Sequence, residues 1–350
     1  MRPVAARVVP VELVALRLTA FETRILGYLM HHPDRIVSRT ELSEHLYEAD
    51  SDRDFKSIEV VIGRLRRKIG DAMIETRRGE GYVAVATPGG GPNGLAIGPD
   101  GALYVCNNGG FNWGRIDGML IPGAAADNYE TGRIERIDLS TGKVERLFDS
   151  YEGHRLSGPN DIVFDAAGGF WFTDLGKHFP HHTDHGGLYY VTPGGGQLKR
   201  AVYGPDMNGC GLSPDGKTVY TALTTRSHIL AFDITGPGEV APSPLAAIPG
   251  RVVADFPGRT LLDSMAVLAS GKIAQATLVE NPGIGVADPA TGEIVFHAFP
   301  DLLTTNIAFG GADMCDAAIC LSTTGKLALE RYNFVAPVAE VALGDVADAA

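Results

Sequence analysis

At 350 residues the chain exceeds one ordinary domain core and suits two domains, given about 100–200 residues per domain. Its 45% hydrophobic and 21% charged residues are a globular composition, and no run of about 18 apolar residues marks a membrane helix. Charge divides unevenly: residues 1–86 hold 14 Lys/Arg against 13 Asp/Glu and the remainder 16 against 29, so nucleic-acid contact falls to the N-terminal part.

The opening stretch MRPVAARVVPVELVALRLTA is apolar but interrupted by Glu12 and Arg17, which breaks a signal-peptide core and points to a cytoplasmic protein with no membrane partner. Thr19-Ala-Phe-Glu22 and Ser38-Arg-Thr-Glu41 then take the S/T-x-x-E form that caps a helix start. Two helices follow, one with Phe21, Ile25 and Leu29 on a stripe and one with Leu42 and Leu46. A third helix begins near Asp54, where Ile58, Ile62, Leu65 and Ile69 mark a buried face and Lys56, Arg64, Arg67 and Lys68 the opposite, cationic one, with Arg53 and Arg66 at its flanks. MIETRR and GYVAV, joined by Gly79-Glu80-Gly81, read as a hairpin with Arg77 and Arg78 at its tip.

Three helices and a basic hairpin form a winged helix-turn-helix, whose third helix enters the major groove while the hairpin reaches the minor groove or backbone. The segment from LTAFETRILGYLMHHPDRIVSRTELSEHLY to IETRRGEGYV resembles the effector domain of OmpR/PhoB-type response regulators over residues 16–85. That resemblance implies sequence-specific binding of double-stranded DNA, usually as tandem dimers, so a homodimer is one expectation. It puts Lys56, Arg64, Arg67 and Lys68 on the recognition helix and Arg77 and Arg78 in the wing. The match lacks a receiver domain, and the family's small N-terminal sheet is cut to one or two strands within residues 1–18.

After residue 87 the sequence repeats. GPNGLAIGPDGALYVCNN, GPNDIVFDAAGGFWFTD, DMNGCGLSPDGKTVYTAL, LLDSMAVLASGKIAQATL and TTNIAFGGADMCDAAICLS each hold an Asn or Asp, an alternating strand, a turn and a second strand. The anchors Asn93, Asn160, Asn208, Asp263 and Asn306 stand 67, 48, 55 and 43 residues apart, with GRIERIDLS, GLYYVTP, ILAFDI and GIGVADP as further strands between them. Four short strands per repeat of about 40–50 residues is the pattern of a propeller blade. The expected fold is therefore multi-domain: an α+β winged helix over 1–86, an all-β propeller over 87–333 and a tail over 334–350.

In an up-and-down blade the start of the first strand and the end of the second lie on one face of the disc. The five anchors should converge there, and the loops after the second strands should bring Asn107, Asn108, Trp113, Asp174, His178, Thr224, Arg226, Glu280 and Asn281 to the same rim. Converging amide and carboxylate oxygens suit a hard divalent cation, although an Asn at a strand start also serves simply to cap a turn. The four histidines of His178-Phe-Pro-His-His-Thr-Asp-His185 read as solvated imidazoles, and the four cysteines stand at no metal-ligand spacing.

GPNDIVFDAAGGFWFTDLGK, MNGCGLSPDGKTVYTA and LLDSMAV…ATLVENPG resemble the senescence marker protein, gluconolactonase and luciferin-regenerating enzyme family over residues 90–330. The resemblance implies a six-bladed propeller that hydrolyses lactones, or phosphotriesters in some relatives, around a channel-bound divalent cation: Ca²⁺ first, with Zn²⁺ or Mn²⁺ as alternatives. It assigns Asn160, Asn208 and Asp263 as metal ligands and Asp263 also as the general base; Asn93, Arg226 and the 107–130 insertion match no motif of the family and are expected, from their place at the same mouth, to shape the pocket for a small lactone or ester. The family's first blade, whose Glu-Gly-Pro motif supplies one more carboxylate ligand, is missing; the winged helix stands in its place, and Glu80 reads as a wing turn. A ring one blade short must close with five, gape with open strand edges, or borrow strands from a partner. Two functions stay open at this point, a lactone hydrolase fused to a DNA reader and a DNA-binding regulator whose propeller is a sensor or passenger.

Overall fold

The computed structural model describes residues 7–10, 25, 29, 36–47, 58–69, 74–77, 81–84, 86 and 88–331, except 118, 140, 205, 244–248, 311–313 and 325. Phe21, Lys56, Arg78, Glu80 and the tail 334–350 lie outside the described residues, as do the side chains of Leu46, Arg67, Lys68, Ile69 and Arg77. Two compact units result, one holding Leu16–Pro88 and the other most of the remainder.

In the smaller unit, Ser38 accepts the Glu41 N–H at 3.1 Å and so caps the helix Arg39–Tyr47, as the S/T-x-x-E spacing predicts. The helix Ile58–Ile69 buries Ile58, Val61, Ile62 and Leu65 against Ile25, Leu29, Val37, Leu42 and Ile74. Its apolar residues recur every three or four positions, and that stripe is what the core takes up. The strands Ile74–Arg77 and Gly81–Ala84 pair antiparallel as the expected hairpin.

The larger unit is a five-bladed propeller. Four blades are built on four strands in up-and-down order, the third adding the short strand Glu239–Val240, with innermost strands Pro92–Ile97, Pro159–Phe164, Met207–Leu212 and Thr260–Val267. The fifth has three described strands, Thr304–Gly310, Asp316–Leu321 and Lys326–Arg331. Turns such as Pro99–Gly101 and Pro214–Gly216 join first to second strands, their glycines held at φ 73° and 67°, where a side chain would be strained. The first blade carries an inserted hairpin, Phe111–Ile116 with Met119–Ala125, and the second a shorter one, Lys177–His178 with Thr183–Asp184. Arg7–Pro10 forms a strand, but its partner is the fourth blade's outer strand Ile294–Ala298, in parallel register. The remnant N-terminal sheet expected for the winged helix is therefore not what these residues build.

Apolar side chains lie between blades, in layers. Ala96, Tyr104, Cys106 and Ile134 of the first blade meet Ile162, Phe170, Phe172 and Tyr189 of the second, and similar layers join each later pair. The innermost strands pack in sequence from the first blade to the fifth; among the described residues the fifth and first show no comparable packing. Accordingly Leu95 is 54% and Ile97 38% exposed, although Ile162, at the position equivalent to Leu95, is only 5% exposed. Among the described residues of the single chain, the fifth and first blades thus leave a gap between them.

Candidate metal centre and nucleic-acid interface

Four innermost strands share one irregularity near their starts. The pairing jumps from Pro92 to Leu95, Pro159 to Ile162, Met207 to Cys210 and Leu262 to Met265. Each jump leaves two residues bulged out of the ladder: Asn93-Gly94, Asn160-Asp161, Asn208-Gly209 and Asp263-Ser264. Bulges re-aim side chains, and these turn a polar group out of an otherwise regular strand. The fifth blade departs from the pattern. Its jump runs from Thr304 to Asn306, so one residue is bulged and Asn306 pairs with Cys320. Thr305 therefore holds the anchor position expected of Asn306, and its hydroxyl bonds Ser322 at 2.7 Å.

At this level the blades touch backbone to backbone. Gly94 lies against Asn160 O and the Asp161 Cα, and Gly209 against Asp263 O and Met265 N, where a side chain would find no space. Asp161 spans three blades: its carboxylate accepts Cys210 N–H at 3.0 Å, Met265 N–H at 3.4 Å and Ile162 N–H at 3.0 Å. Thr173 Oγ1 donates to Asn208 O across the second and third blades.

Within this convergence Asn160 Oδ1 and Asn208 Oδ1 are buried without a hydrogen-bond partner. Buried amide oxygens are normally satisfied, so these two are free to accept from water or to bind a cation. The Asn208 amide nitrogen donates to Thr224 Oγ1 at 2.9 Å, which fixes the side chain with its oxygen on the other side. Burial pushes the Asp263 carboxyl up to about 7, Asp161 adds to that rise, and a hydrogen bond from Asn208 opposes it. An all-oxygen set of two carbonyls and one carboxylate fits a hard divalent cation, whose charge would also relieve the cost of burying Asp263. Among the described residues no three His, Cys, Asp or Glu cluster to hold a metal, so any such site draws on amides.

The two pocket residues expected from the sequence differ in exposure. Asn93 is the half-buried bulge residue of the first blade, and Arg226 is exposed in the turn after the third blade's second strand. Both Arg226 and His178 act on the Asp206 carboxyl, which burial raises and which accepts Thr225 N–H and Oγ1–H at 2.7 and 2.6 Å. The expected rim residues Asn107, Asn108 and Asp174 are buried instead, because they close the blades. Asp174 accepts the amides of Ser157, Gly158 and Gly176; Asn107 accepts those of Gly91 and Gly109 and donates to Glu135. Asn281 donates to Thr260 Oγ1, and Glu280 accepts the Arg259 amide. His178, His181, His182 and His185 are all exposed.

Two charged residues escaped the sequence reading. Asp161 had a visible signal, since it is the only charged residue where the other bulges carry Gly94, Gly209 and Ser264. Lys177 had none. It is 1% exposed, donates to Asn108 O at 2.8 Å and lies 3.7 Å from the Phe111 ring centroid. Burial brings its ammonium down to about 8, with Asp174 opposing.

In the smaller unit Arg64 is exposed on the helix Ile58–Ile69, opposite the buried stripe. Arg66 faces elsewhere: it donates to Ile74 O at 3.1 Å and Thr76 Oγ1 at 2.7 Å, tying the helix to the hairpin. Glu59, on the same helix, pairs with Arg39 at 3.2 Å.

Comparison with known proteins places both halves. Residues 69–323 match the sequence profile of the SMP-30/Gluconolactonase/LRE-like region, and residues 14–84 that of the transcriptional regulatory protein C-terminal domain. The first match covers more than half of the chain, which therefore belongs to the SMP-30/gluconolactonase/LRE-like family, with a transcriptional-regulator C-terminal domain fused ahead of the propeller. The chain is 48% identical over 77 residues to the two-component response regulator PhoP of Pseudomonas aeruginosa, covering 21% of this chain and 34% of that protein. It is 26% identical over 146 residues to a gluconolactonase of Zymomonas mobilis, covering 39% of this chain and 35% of that one. It thus spans about a third of the length of each of these relatives. A solved structure of a gluconolactonase from Xanthomonas campestris superposes at a TM-score of 0.54 and 23% identity, over 71% of this chain and 75% of that one, a likeness of fold.

Proposed function

We propose that this member of the SMP-30/gluconolactonase/LRE-like family is a divalent-metal-dependent hydrolase of small lactones or esters, carried on a unit that reads double-stranded DNA in the cytoplasm. The observation that carries the first part is the pair of partnerless buried oxygens, Asn160 Oδ1 and Asn208 Oδ1, together with the half-buried Asp263, whose carboxyl accepts a hydrogen bond from Asn208. These three residues would hold the cation, Ca²⁺ by their hard oxygen donors, with Mn²⁺ or Zn²⁺ as substitutes. When bound, it would polarise the lactone carbonyl and stabilise the charge that builds on its oxygen.

The chain's own groups supply the rest. Asp263 takes a proton from water as the water oxygen bonds to the acyl carbon. The ring C–O bond then breaks, and the same proton passes to the departing alkoxide, giving the hydroxy acid. Asn93 and Arg226 orient the substrate's polar groups. In the DNA-reading unit the family match would bring Lys56, Arg64, Arg67 and Lys68 to the major groove and backbone, with Arg77 and Arg78 in the wing.

Hydrolysis of glucono-δ-lactone, followed by acid release with Ca²⁺, Mn²⁺ or Zn²⁺ added, tests the first part. Asp263→Asn should lower turnover at least 100-fold, and no turnover by the wild type with any of the three ions would refute the assignment. The DNA part is tested by random-sequence selection followed by a salt titration. Arg64→Ala should lower the salt slope by about one, and an unchanged slope would remove Arg64 from the interface.

A further inference from the structure

A cavity of about 610 Å³ opens between residues 152–157, which lead from the first blade into the second, and residues 183–203 of the second blade. It involves none of the axial oxygens, nor Asn93 or Arg226. Every side chain lining it carries a hydrogen-bonding group, and no aliphatic residue takes part. Most small-molecule pockets are lined mainly by apolar and aromatic groups, so this one is built for a ligand that is polar over its whole surface.

Charge narrows the class. The guanidiniums of Arg155 and Arg200 meet the carboxylates of Asp184 and Glu152, at 2.9 and 3.9 Å, so these four formal charges cancel and the cavity exerts no strong pull on an ion of either sign. What they offer is direction. Both arginines are held by rings: Arg155 lies 5.4 and 5.3 Å from the centroids of Tyr129 and Phe179, and Arg200 5.1 and 5.2 Å from those of Tyr151 and Tyr203. Planar forks of N–H donors thus stand beside planar carboxylate acceptors, with His154 and His185 able to serve in either role. A hydroxyl group donates and accepts at once and can bridge such pairs. Tyr203, 59% exposed, adds an aromatic surface against which the C–H face of a ring can lie.

We propose that this groove is a saccharide-binding site for a neutral polyhydroxylated ring, separate from the axial centre. The site holds whether or not the propeller is a hydrolase. It would give the chain a second point of contact with sugars, at the outer rim.

Saturation-transfer NMR on the full chain, with D-glucose and maltose as probes, tests the proposal. The sugar ring protons should receive saturation. Arg200→Ala and Tyr203→Ala should each cut that signal at least five-fold while leaving the thermal unfolding transition in place, and Asp263→Asn should leave the signal unchanged. Absence of transfer to both sugars would overturn the proposal, as would signals untouched by both rim variants. Displacement of the sugar by equimolar inorganic phosphate would make the groove an anion site instead. A signal lost in Asp263→Asn would return sugar binding to the axial centre.

Discussion

Leu95 and Ile162 hold the same register position in adjacent blades, and replacing each by alanine separates what a neighbouring blade contributes. Ile162 is 5% exposed and packs on Ala96, Tyr104 and Cys106, so its truncation removes buried methyl groups and leaves a cavity. Such changes cost about 2–5 kcal/mol. Leu95 is 54% exposed; its truncation forfeits only a few tens of Å² of buried apolar area, worth about 1 kcal/mol or less at ~25 cal/mol per Å². The difference, about 2 kcal/mol, lies well outside the error of a urea titration. Both tryptophans, Trp113 and Trp171, belong to the propeller, so fluorescence follows that unit alone. Equal losses at the two positions would show that another surface covers Leu95 in solution, and the gaped ring would have to be abandoned.

Asp161→Ala should destabilise the propeller by about 2–5 kcal/mol, because the Cys210 and Met265 amides lose their acceptor; urea melts would measure it, and a loss under 1 kcal/mol would deny Asp161 its part in joining three blades. Lys177 predicts a pH signature. Its folded pKa, about 8, lies below the ordinary 10.5, so from pH 8 to 10.5 the unfolded chain binds more protons and the Lys177 contribution to stability rises with pH. Wild type should therefore gain on Lys177→Met by up to about 3 kcal/mol between pH 7 and 10, and a difference that does not vary with pH would contradict its burial as an ammonium. Zinc, calcium or manganese should each raise the wild-type melting temperature and have no such effect on an Asn160→Ala, Asn208→Ala double variant; equal shifts would move metal binding elsewhere.

The repeat of an Asn or Asp before an alternating strand was enough to place the blades, because period-two alternation and Gly turns are local signals. The fourfold bulge that carries Asn93, Asn160, Asn208 and Asp263 lies in the same segments, but only the strand pairing shows it. Register is not local, however: nothing in TTNIAFG shows that its bulge is one residue shorter, so Asn306 reads as an anchor while Thr305 occupies that place. Asn107 and Asp174 look like rim residues because a polar side chain at a strand end has the same appearance whether it faces solvent or accepts amides; only burial separates the two. Lys177 is the extreme case. A lysine gives no warning in sequence that an aromatic pair and a carbonyl will enclose it.

The Thr305 substitution gives the axis a handedness of supply. Donor oxygens come from the second, third and fourth blades, a contiguous arc, while the fifth offers a hydroxyl already engaged with Ser322 and the first offers Asn93 at a half-open position. If Asn160, Asn208 and Asp263 hold a cation, they would hold it along one arc of the axis and leave the opposite side to water and substrate. Reactants would then arrive sideways, past Leu95 and Ile97, through the missing sector, and the width of that doorway would set which molecules are admitted.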